Sequence, residues 1–192
     1  MSVNNTSLIL ENKNLSTFEI TENFTCIRFL NQNKERFELE FNLEKGTSFN
    51  TFLIISGDEL FIIHPPEKEY SKLINEVISN FFLQFKFKRI NIITGHVNPK
   101  IIETIKSISL KFSNLAITCS NPGSKLISEL WNQKNPKLET FIEQELPKIN
   151  IVKKELNLEL ENISLKLLPV ATARWPGGLI VYEENQDCLL YT

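Results

Sequence analysis

The stretch Asn91-Ile92-Ile93-Thr94-Gly95-His96-Val97-Asn98-Pro99-Lys100-Ile101-Ile102-Glu103 decides the reading of the chain. An apolar run of strand type ends in Gly-His, and a helical pattern opens at a proline three residues later, a position where proline is favoured. A buried strand feeding a helix this directly is one half of a βαβ unit. Working outward, Arg89–Thr94 is a strand and Pro99–Phe112 a helix. Leu115–Cys119 is the next strand, and Ser120-Asn121-Pro122-Gly123 opens a helix running to about Trp131. Upstream, Glu67–Phe85 has Tyr70, Leu73, Ile74, Val77, Ile78 and Phe81 at helical spacing. Before it, Phe52–Ile55 and Leu60–Ile63 flank the turn Ser56-Gly57-Asp58-Glu59, and His64-Pro65-Pro66 stops the second strand.

Farther out, Cys26–Leu30 and the alternating Arg36–Phe41 read as a hairpin with one wet face. Residues 1–22, rich in Asn, Ser and Thr, read as an arm, and residues 23–192 as one domain. Asn132–Pro147 is polar and indistinct. Downstream, Ile149–Val152, Leu156–Leu160 and Ile163–Leu168 are strands. The loop Pro169–Gly178 and a hairpin of Leu179–Tyr182 with Cys188–Tyr191 follow. Hairpins, then βαβα, then hairpins describe the first part of an αββα sandwich in the α/β (α+β) class. The sequence stops in an apolar run, so we expect the domain to be truncated at its C-terminus.

The 192 residues carry 21 Lys+Arg against 23 Asp+Glu, a net charge of −2. This balance lacks the basic footprint of a nucleic-acid binder. No apolar run approaches the roughly 20 residues of a membrane span. No secretory signal opens the sequence, so the expectation is a cytoplasmic protein. Three dispersed cysteines give neither a disulfide framework nor a zinc knuckle. Neither a P-loop nor Gly-x-Gly-x-x-Gly is present, and no serine has a legible partner base. Cys119 sits at a helix N-terminus, where a thiolate can be stabilised. Without a neighbouring acid or base, a buried structural role fits it better.

The ordered blocks resemble the flavodiiron proteins of the cyanobacterial diflavin type. Lys45-Gly46-Thr47-Ser48-Phe49-Asn50-Thr51-Phe52-Leu53-Ile54 resembles the opening of their metallo-β-lactamase-like domain. His64-Pro65-Pro66 resembles the segment after the next strand, and Gly95-His96-Val97-Asn98-Pro99-Lys100 aligns with their His-x-Glu-x-Asp-His motif. Cys119-Ser120-Asn121-Pro122 is similar to the following corner, and Arg174-Trp175-Pro176-Gly177-Gly178 to a His-Trp-Pro-Asp loop. Leu189-Leu190-Tyr191-Thr192 is similar to the strand before a bridging aspartate. The resemblance implies an αββα sandwich. It also implies an NAD(P)H:oxygen oxidoreductase in which electrons pass through FMN to a di-iron centre that reduces oxygen.

The same alignment removes the metal. Of the implied ligands only His96 keeps its type; Asn98, Lys100, Ile101 and Arg174 stand at the others. With two histidines in all, His64 and His96, and cations at two ligand positions, the expected metal set is not intact. We expect no cofactor and no catalytic residue in this chain, which alone is expected to be inactive. Lys100 and Arg174 either replace the metal charge in the pocket, pairing with carboxylates such as Glu103, or lie in water. Trp175, Pro176 and Gly177 are candidates to face a partner's FMN. Two functions stay open: a piece of the oxidoreductase, or a metal-free subunit. The subunit would form a homo- or heterodimer and lend an interface and flavin dock to a metal-competent homologue. A β-lactamase-fold hydrolase is disfavoured because it needs the same missing ligands.

Overall fold

The computed structural model describes residues 15–31, 47–133, 144–170, 172 and 177–191. A seven-stranded sheet holds β1 (Leu15–Thr21), β2 (Phe24–Asn31), β3 (Thr47–Ser56), β4 (Glu59–Ile63), β5 (Arg89–Ile93), β6 (Leu115–Ser120) and β7 (Lys148–Val152), side by side in chain order. β1 to β4 pair antiparallel, and β4 to β7 parallel. Parallel neighbours need long crossovers. These contain α1 (Ser71–Gln84), α2 (Pro99–Lys111) and α3 (Asn121–Asn132). A second, antiparallel sheet contains β8 (Leu156–Leu160), β9 (Ile163–Pro169), β10 (Leu179–Glu183) and β11 (Cys188–Leu190).

Side-chain alternation explains why the large sheet is covered on both faces. Leu53, Leu60, Ile62, Ile90, Ile92 and Ile117 pack with the inner faces of α1 and α2, among them Ile74, Ile78, Ile101, Ile105 and Ile108. The residues between them in sequence, Phe52, Ile54, Phe61, Ile63 and Ile93, point the other way and pack with Leu165, Leu167, Val181 and Leu190 of the second sheet. The result is helices on sheet on sheet, the expected sandwich as far as these residues carry it. No helix among the described residues is long and apolar enough to cross a membrane.

Three expectations need correction. Part of the expected arm is strand: Leu15–Thr21 forms β1, paired from Leu15↔Phe29 to Thr21↔Phe24. Only Leu15 of β1 is buried, while Phe18 lies at the surface under the Arg28 guanidinium, 5.1 Å from its ring centre. The expected hairpin partner of β2, Arg36–Phe41, lies outside the described residues, and both edges of β2 are taken by β1 and β3. Helix α1 begins at Ser71, preceded by a 3-10 turn at Lys68–Tyr70. The Tyr70 ring packs on Phe29 with centroids 4.9 Å apart, which ties the turn to β2.

Candidate functional site

The parallel register Ile63↔Ile93 and Ile93↔Thr118 brings the carboxyl ends of β4, β5 and β6 to one edge of the sheet. Ligands collect at such an edge in layered α/β folds. Backbone bonds extend the ladder one step further, from His64 N–H to the Ile93 carbonyl (2.8 Å) and from Thr94 N–H to the Thr118 carbonyl (3.0 Å).

His64 then turns inward in the left-handed region, φ 55°. Its carbonyl accepts the Thr51 hydroxyl at 2.7 Å. Nδ1 accepts the Gly95 N–H at 3.3 Å, and Nε2 lies 3.0 Å from the Leu190 carbonyl. Only the neutral ring protonated at Nε2 satisfies both contacts. Burial brings its pKa down to about 4, against the pull of the Leu190 carbonyl and with some help from His96. The sequence reading treats His64 as a strand stop. Its partners lie 31 and 126 residues away, so no local pattern reveals the role.

The residues that the resemblance sets against metal ligands have the following surroundings. His96 is half-buried, and its carbonyl accepts the Thr94 hydroxyl at 2.5 Å. Asn98 caps α2: its Oδ1 accepts the Ile101 N–H at 2.8 Å, and its Nδ2 donates to Glu67 Oε1 at 3.2 Å. Lys100 Nζ lies 3.1 Å from Glu67 Oε2 and 2.8 Å from Glu69 Oε1, and these two carboxylates, Glu69 first, raise its pKa. Ile101 is buried in the core beneath α2. The expected pairing of Lys100 with Glu103 is corrected: Glu103 pairs with Lys68 at 2.5 Å. Asn98→Ala is expected to lower stability by about 1 kcal/mol, the usual worth of such a cap, in urea unfolding followed by circular dichroism.

Arg174, Trp175 and Pro176 lie outside the described residues. Gly177 is buried, and its carbonyl accepts the Ser120 hydroxyl at 3.0 Å. Ser120 Oγ in turn accepts the Gly123 N–H at 3.1 Å and so caps α3. Cys119, just before it, is fully buried, and burial pushes its thiol up to about 12, the opposite of a reactive thiolate. Among the described residues no three His, Cys, Asp or Glu side chains are grouped so as to hold a metal ion.

No family model matches the chain. A protein of Nostoc sp. (strain PCC 7120) bearing the name diflavin flavoprotein A 5 is 29% identical over 185 residues, which are 94% of this chain and 29% of that protein. Diflavin flavoprotein A 1 of Synechocystis sp. (strain PCC 6803) is 23% identical over 175 residues, 90% of this chain and 28% of that protein. A crystal structure of fragment 1–254 of the Nostoc A 5 protein superposes with a TM-score of 0.71 at 26% identity, covering 90% of this chain and 62% of that one. The chain is similar to diflavin-type flavodiiron proteins over most of its length. A solved flavodiiron core, Flv1 of Synechocystis, has the same fold, with a TM-score of 0.70 at 23% identity over 89% of this chain and 40% of that one. The chain spans less than a third of the length of the curated relatives it matches.

Proposed function

We propose that this chain is a metallo-β-lactamase-like module of a diflavin-type flavodiiron protein that performs no di-iron chemistry of its own. The family activity, electron transfer from NAD(P)H through flavin to oxygen, would belong to a larger assembly. The observation that carries the reading is the occupation of the aligned ligand positions. Asn98 spends its amide oxygen on a helix cap, Lys100 presents an ammonium held by two carboxylates, and Ile101 is a core residue. An ammonium offers no lone pair and repels a metal cation, while a dinuclear iron site needs several deprotonated nitrogen and oxygen donors. His96 alone cannot replace them.

The same argument favours a metal-free partner role, as a homo- or heterodimer with a flavodiiron subunit that keeps its ligands. In this reading Trp175, Pro176 and Gly177 face the partner's FMN. The hydrogen bond from Ser120 to the Gly177 carbonyl would fix the base of that loop on α3. Elemental analysis of protein expressed with excess iron, read beside its flavin absorbance, tests the proposal. Iron far below one per chain is expected; near-stoichiometric iron would overturn it.

A further inference from the structure

Of the edge strands of the two sheets, three are guarded. β7 opens at Lys148 and is followed by Lys153 and Lys154, β8 carries Glu159 with Glu155 just before it, and β11 is three residues long. Charges, lysine above all, and short length are the devices by which natural sheets keep their edges from pairing. β1 differs. It has seven residues and neither lysine nor proline; Glu19 is its one charge, and its pairing with β2 shifts register only between Glu19 and Thr21. Among the described residues its outer edge carries no further strand. Phe18 stands opposite Cys26, which packs toward the second sheet, so Phe18 and Ile20 lie on that face. The second sheet ends at β11, next to which the Tyr191 carbonyl accepts the Asn50 side chain of β3 at 3.4 Å. β1 lies beyond this cover, and Phe18 and Ile20 stay 47% and 37% exposed beside an open edge. The Arg28 guanidinium sits over the Phe18 ring, and aromatic rings and arginine are enriched where proteins meet.

We propose that β1 is a homodimer interface, at which it pairs antiparallel with β1 of a second copy of this chain about a twofold axis at Phe18. Two identical strands paired antiparallel are self-complementary, as a twofold contact must be. Phe18 is the middle residue of Leu15–Thr21, so this register overlaps the whole strand. It sets the two Phe18 rings against each other and each Glu19 against the partner's Thr17. An axis at Glu19 would instead oppose two carboxylates, which is destabilising. The two large sheets then join into one, and Phe18 and Ile20 of both protomers form a shared apolar strip. The inference goes beyond the metal-free reading and does not depend on it. Iron content decides that reading and oligomeric state this one, so either can fail without the other.

Sedimentation velocity of the full chain over a concentration series, with circular dichroism to follow folding, tests the contact. The native chain is expected to dimerise with a dissociation constant on the order of 10 μM, as suits a small interface. Phe18→Lys places at the edge the residue that guards β7, and should weaken dimerisation at least about tenfold while the chain stays folded. Ile20→Lys serves the same comparison where Phe18→Lys does not fold. Phe18→Cys reports the register. Opposed β-carbons lie about 4.5–5.5 Å apart, so copper–phenanthroline oxidation should join two copies through position 18, as linked peptides in mass spectrometry. Glu19→Cys faces the partner's Thr17 and should crosslink to its own copy at least about tenfold more slowly. A native chain still monomeric at a concentration on the order of 1 mM overturns the proposal. So does a Phe18→Lys dimer as tight as the native one, or a dimer in which Phe18→Cys gives no symmetric crosslink.

Discussion

Gly95→Ala is expected to lose about 3 kcal/mol or more of stability, a large share of the 5–15 kcal/mol typical of a folded domain. The backbone at Gly95 is ordinary; the space around it is not. A β-carbon there would lie 2.6 Å from His64 Cε1 and inside contact distance of the Leu179 carbonyl oxygen. Neither neighbour can yield cheaply. The imidazole is held by both its nitrogens, and the Leu179 N–H is itself bonded to the Gly95 carbonyl at 3.2 Å. One methyl group would therefore push β10 away from the end of β5 and separate the two sheets where they touch. The measurement is urea unfolding followed by circular dichroism. A midpoint equal to that of the native chain would refute the argument.

Acid should weaken the fold in a window that His64 sets. The unfolded chain takes up the proton near the ordinary value of 6.5, the folded chain only near 4. Between these values the unfolded state binds more protons, so stability rises with pH there. Above about 6.5 the contribution is complete, it declines as pH falls toward 4, and below that it changes no further. A shift of this size corresponds to about 3 kcal/mol. Protonation would also place an N–H on Nδ1 opposite the Gly95 N–H, two donors facing each other. His64→Asn tolerates the left-handed backbone but carries no titrating group. It should be less stable than native at pH 7.5, by about 1–3 kcal/mol for the unsatisfied Leu190 carbonyl, and should lose the slope between pH 6.5 and 4. An unchanged slope in His64→Asn would assign the acid sensitivity elsewhere.

Much of this architecture is legible in the sequence because burial writes periodic patterns. β5 reads as a strand covered on both faces through Ile90, Ile92 and Ile93, and α2 announces itself through Pro99 and the spacing of Ile101, Ile105 and Ile108. β1 is hidden because it is an edge strand with one buried side chain, and exposed Phe18 and Ile20 break any alternation. The electrostatics at the site misleads for a related reason. Lys100 and Glu103 are three apart on one helix, a spacing that suggests a pair. The 3-10 turn beside α2 supplies Lys68 to Glu103 and takes Lys100 for Glu69, and nothing local encodes that docking. His64 is the extreme case, a residue whose partners are set entirely by the packing of two sheets.

The order of strands bears on how the chain becomes folded. The large sheet uses residues 15–152 and the small one residues 156–190, each pairing neighbours in sequence. During synthesis the first sheet and its helices can assemble while the second is still being made. For a few seconds, at roughly 5–20 residues per second, Phe24, Phe52, Ile54, Phe61 and Ile63 then face water with no cover. That interval is when a nascent chain is most open to chaperones and to aggregation. It closes only when Leu190 arrives and its carbonyl meets an imidazole made 126 residues earlier.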